Sequence, residues 1–163
     1  MPTPTYDLLA SQTLGSNTTS VTFSSLSSSY RDIVIVFNGG RTNYSGIYNI
    51  RFNGDSGANY SRVGLTTNGS QNISGATSGA NRLDFSWGYA VQNPTYLAIT
   101  QIFDASASDK HKTILSRNND GATGVDVYAG RWANTSAITS IEIFTNNTDG
   151  YTTGTIYLYG IVS

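Results

Sequence analysis

Asn53, Asp55 and Asn59 fall within IRFNGDSGANYSR, residues 50–62, where they bring amide and carboxylate oxygens into one polar turn. Oxygens of these kinds are what a hard cation such as calcium takes. The twelve-residue calcium loop also demands a bidentate Glu at its last position, and this chain has Gly64 there. A turn with Gly54 and Gly57 at positive φ accounts for the cluster without a metal. The sole histidine, His111, sits between two lysines in SDKHKT, and no Gly-x-Ser-x-Gly elbow accompanies it. With neither nucleophile nor acid partner in view, it reads as a surface or strand-start residue. Asp55, Asp120 and Asp149 lie in NGDSG, NNDG and TDGY, where Asp stabilises a turn by bonding local backbone. A glycosidase needs a facing pair of acids, and turn chemistry explains these without one. No catalytic residue, metal ligand or cofactor is assigned.

Two segments, FSWGYAVQN and YAGRWAN, place Trp87, Tyr89, Arg131 and Trp132 among amides. Such aromatics either stack on sugar rings or anchor a core or subunit interface, and the second is the commoner fate of large rings. The N-terminal MPTPT is stiffened by Pro2 and Pro4 and has no strand pattern, so residues 1–5 read as an extended arm. Pro2, Thr3, Pro4 and Thr5 join Trp87, Tyr89, Arg131 and Trp132 as candidate partner-binding residues.

The elements that must carry these residues are strands. Ser, Thr, Asn, Gly and Tyr abound while the helix formers Glu and Lys are scarce, a β composition. Val21 and Phe23 share one face of a strand, and Ile141 and Ile143 oppose Glu142 and Phe144. Ile156 and Leu158 oppose Tyr157 and Tyr159, with Gly160 marking a bulge or a close approach of backbone. The five consecutive apolar residues Ile33–Phe37 predict a central strand covered on both faces. Asn68–Asn81 has almost no large apolar residue and reads as a long exposed loop. Short apolar runs between turn clusters predict an all-β fold, an antiparallel β-sandwich of jelly-roll type with about ten short strands. Residues 6–163 form its single domain.

The 163 residues carry 9 Lys and Arg against 10 Asp and Glu, a net charge of -1. That balance excludes a sequence-independent grip on nucleic acid, which needs a dense positive field. The absence of cysteine excludes disulfides, thiolate zinc sites and thiol nucleophiles together. No stretch has the apolar length to span a bilayer, so no membrane partner is expected.

The segments YDLLASQTLGSNTTSVTFSSLSSSYRDIVIVFNG and IRFNGDSGANYSR resemble a diffuse family of bacteriophage virion proteins. The family shows an opening Tyr with apolar residues, a VTFSSI-like strand, a YxDLVLV-like strand and FNGDxxxNYS. Leu26 stands where Ile is common, and Tyr30–Phe37, YRDIVIVF, stands for the third motif. AITQIFDASASDKHKTILSR and the terminal YLYGIVS fit as well. The resemblance implies β-sandwich modules, commonly homotrimers, used as capsid decoration or cement proteins or in tail fibres. A fibre carries a shaft or attachment domain, and none is written in this sequence. The expectation is therefore a non-enzymatic decoration protein on the capsid surface of the virion, partnered by the major capsid protein. The alternative is a tail-fibre or tail-tip module that binds a receptor glycan.

Overall fold

The computed structural model describes residues 5–40, 48–67, 69–85, 96–119, 124–146, 148 and 150–162. Twelve strands lie among them: β1 (Tyr6–Thr13), β2 (Ser20–Ser24), β3 (Tyr30–Gly40), β4 (Asn49–Phe52), β5 (Tyr60–Thr67), β6 (Asn72–Ala80), β7 (Leu83–Asp84), β8 (Leu97–Phe103), β9 (Lys112–Asn119), β10 (Val125–Trp132), β11 (Ser140–Phe144) and β12 (Thr153–Val162). They form an eight-stranded sheet, β1-β12-β3-β8-β9-β10-β5-β6, and a four-stranded sheet, β2-β11-β4-β7. Every pairing is antiparallel.

The pairs nest along the chain. β1 joins β12, β2 joins β11, β3 joins β8 and β4 joins β7. Successive pairs alternate between the sheets, so one long ribbon is wrapped around a common core, which is the jelly-roll arrangement. The hairpin β5–β6 is inserted between β4 and β7, and β9–β10 between β8 and β11. Both insertions dock beyond β8 and extend that sheet by four strands.

Alternation explains the core. Val21 and Phe23 of β2, and Ile141 and Ile143 of β11, point inward and are buried. Ile33, Ile35 and Phe37 of β3 join Ile156 and Leu158 of β12 in the same cluster. Val34, on the other face of β3, is buried as well, in keeping with the central position of that strand between β12 and β8. Phe37 is the hub of an aromatic layer, its ring 5.6 Å from Tyr48, 5.5 Å from Tyr96 and 5.1 Å from Tyr151. The contacts with Tyr96 and Tyr151 are edge-to-face, a geometry that adds about 1 kcal/mol each beyond area burial. Gly160 makes room for a side chain rather than for backbone: a Cβ there would run into the Tyr30 ring.

The described residues form twelve strands, near the count of about ten expected. Two expectations are corrected. Asn72–Ala80 is strand β6, not a loop: it is laddered to β5 and sits at the sheet edge, where backbone pairing alone holds a strand with few apolar side chains. In the Asn53 turn, positive φ belongs to Asn53 (52°) and Gly54 (68°), and the Asp55 N–H donates to the Phe52 carbonyl at 2.8 Å. That is the Asn-Gly type I′ geometry. Gly57 does not have positive φ; a Cβ there would crowd the end of the Asn59 side chain, 2.9 Å away.

Candidate functional site

The polar turn after β4 is closed on itself. The Asp55 carboxylate accepts from the Trp132 indole N–H at 2.7 Å, the Gly57 backbone N–H at 2.9 Å and the Asn59 amide at 2.9 Å. Asn53 accepts from the Thr139 and Ser140 backbone N–H groups at 2.8 and 3.0 Å and donates to the Ala137 carbonyl. Partial burial raises the Asp55 pKa, but bonds from Trp132, Gly57, Asn59 and Asn134 outweigh it, and the group sits below its ordinary 3.8. A cation there would have to displace N–H donors, so the arrangement works as a brace between loops. Trp132 is the correction this forces: it is 0% exposed, stacked with Tyr60 and tilted against Phe52, and cannot meet a partner.

The other charged groups are dispersed. Asp32 is bonded by Arg31 at 2.8 Å and by the Asp104 backbone N–H at 2.9 Å; Glu142 is bonded by Arg51 at 2.9 Å; Asp84 pairs with Arg62. Asp126 accepts from Thr66 and Asn118 in a buried polar chain that continues through Ser116 and Thr100 to Tyr48. Lys112 is buried and donates to the carbonyls of Ala107, Lys110 and Thr135 at 2.7, 2.8 and 3.0 Å. Burial lowers its ammonium below the ordinary 10.5, while the three carbonyls hold its protons in place. His111 is exposed just before β9. Among the described residues no three His, Cys, Asp or Glu converge on a metal position, and none of the four main grooves has a carboxylate on its wall.

What the structure does assemble is a surface. On β5, β9 and β10 the inner face is taken by Tyr60, Ile114, Tyr128 and Trp132, all buried. Period-two alternation then turns Val63, Leu65, Leu115, Val125 and Val127 outward, and these are 45% to 62% exposed. The register aligns them in rows across the sheet. One reads Gln101, Leu115, Ala129, Val63; the next reads Ile99, Arg117, Val127, Leu65. A shallow groove of about 410 Å³ runs past Val63, Ala76, Ala129 and Arg131 on the same face.

Of the predicted partner-binding residues, Arg131 stands exposed on this face, level with Thr113 and Ser61. Thr5 is exposed just ahead of β1. Pro2, Thr3, Pro4, Trp87 and Tyr89 lie outside the described residues. The apolar rows escaped sequence reasoning, although VDVYAGRW held the signal. Tyr128 and Trp132 occupy alternate positions, so whichever face takes those rings sends Val125 and Val127 the other way.

No protein-family model matches the chain, and no curated protein does. One solved structure, a Shewanella oneidensis MR-1 protein of unknown function, aligns over 98% of this chain and 80% of its own at 11% identity and a TM-score of 0.24.

Proposed function

We propose that this chain is a non-enzymatic structural subunit of a bacteriophage virion: a decoration or cement protein that sits on the head as a homotrimer and reinforces contacts between major capsid protein subunits. The observation that carries this reading is the exposed apolar face of the long sheet. A surface of that kind is built for docking, and the carboxylates of the described residues are engaged in bracing or scattered rather than gathered in a cleft. The motif resemblance supports the virion setting, and the jelly roll, a fold also used by capsid and lectin domains, is compatible with it. Fold alone decides no function. Weak contacts at each copy sum over a lattice by multivalency, so no single interface has to be tight. In this reading residues 1–5 contact a neighbouring subunit.

Cryo-microscopy of the particle tests the assignment. Density for this chain on the head, in threefold clusters, is the expected result; density confined to the tail would transfer the chain to the receptor-binding alternative. That alternative has already lost Trp132 from its sugar-stacking candidates, since the ring is buried.

A further inference from the structure

We infer that the outer face of β8, β9, β10 and β5 docks a protein partner that is not a copy of this chain, and that the partner presents apolar side chains flanked by carboxylates. The inference rests on the virion reading only for naming that partner as the coat subunit.

An antiparallel sheet that covers a core on one side ordinarily turns polar residues to water on the other. Here Val63, Leu65, Leu115, Val125 and Val127 do so instead, each with roughly half its surface exposed. Being adjacent through the register, they form one patch on the scale of a few hundred Å², the size that marks interaction sites. The strands beneath are fixed by the buried rings of Tyr60, Tyr128 and Trp132, so the face loses little freedom on binding.

Charge decides the occupant. Arg117 lies in the middle of the patch, between Ile99 and Val127 in its row, and Arg131 lies at one end. Among the described residues neither has a carboxylate partner, and no outward position of β5, β6, β8, β9 or β10 carries Asp or Glu. Two copies set face to face would bring four guanidinium groups together without a counter-charge, which is costly at a desolvated interface. A partner whose apolar surface is bordered by carboxylates removes that cost, because guanidinium grips carboxylate in a two-point fork. Arg117 and Arg131 sit one strand and four residues apart in register, about 14 Å between Cα atoms by strand geometry. Carboxylates at positions i and i+4 on one face of an extended segment span nearly that distance.

Particles assembled with the full chain carrying p-benzoylphenylalanine in place of Leu65, or of Thr22 on the opposite sheet as control, test the face directly. The expected product is a crosslink from position 65 into a different chain, at a segment where Asp or Glu adjoins apolar residues. A crosslink to another copy of this chain, or silence at position 65 while position 22 reacts, overturns the inference. A product of the expected chemistry on a protein other than the coat subunit upholds the docking face and overturns the head assignment. Separately, Arg117→Glu with Arg131→Glu, and Val127→Asp alone, should each lower particle occupancy about tenfold or more, with circular dichroism and thermal midpoint unchanged. Wild-type occupancy in both variants overturns the proposal.

Discussion

Asp55 shows how one carboxylate can join two segments: it reaches Gly57 and Asn59 within its own turn and Trp132 at the end of β10. Asp55→Asn keeps the shape but loses charge-assisted bonds, and should cost about 2 kcal/mol in denaturant unfolding. The pH dependence follows from its lowered pKa. A carboxylate depressed in the folded state contributes stability that is full above its unfolded value, near 3.8, and is lost as pH falls through the folded value. Asp32 is depressed as well: burial raises its pKa, but Arg31 and the Asp104 N–H overcome that. Acid unfolding of wild type should therefore begin below about pH 4, and Asp55→Asn should have a shallower acid limb. An identical limb in the variant would show that Asp55 is not coupled to folding. Tyr96 makes the opposite case. Its ring packs on Phe37, but its buried hydroxyl has no hydrogen-bonding partner among the described residues, and burial holds its pKa well above 10.0. Tyr96→Phe removes an unpaired polar group and keeps the ring, so it should stabilise by about 1 kcal/mol, read as a higher thermal midpoint.

Strand packing sets which glycines are irreplaceable. Gly64 lies directly across from Tyr128 on the inner face, and a Cβ at residue 64 would fall 2.3 Å from the Tyr128 ring. Gly64→Val improves strand propensity yet forces the ring aside, so a loss of about 3 kcal/mol is expected, measured as a lower urea midpoint at unchanged slope. A neutral result would mean the ring has room to swing away. The same strands show what was legible in the sequence. β11 and β12 were readable because one face is apolar and its alternation survives in the letters, and β3 because it is an unbroken apolar run. β6 was not, since NISGATSGA carries no apolar period and the ladder to β5 holds it. Periodicity separates two faces without saying which is inside. For β5 and β10 that choice was made by bulky aromatics competing for the core, a tertiary decision. Arg131 is legible as a surface candidate, whereas Trp132 beside it cannot share that role, because alternation sends neighbours to opposite faces.

At the scale of the whole molecule, nesting makes the two ends of the chain neighbours, with β12 inserted between β1 and β3. No local segment can complete the long sheet, so many loops must close before the pairing rewards them. Refolding should take milliseconds to seconds; a sub-millisecond phase recovering the full signal would contradict this. Slow closure leaves strands open for longer in a chain whose net charge is only -1, which offers little self-repulsion. The apolar outer face remains exposed even after folding, so disordered aggregation, rather than an ordered face-to-face pair, should limit the isolated protein. Leu65→Lys combined with Val127→Lys places two charges where both side chains already face water. Soluble yield should rise, while stability changes by less than about 0.5 kcal/mol per site, as for other surface positions. If the pair instead lowers stability by several kcal/mol, those residues are covered within the folded chain, and the outer face is not free to receive a partner.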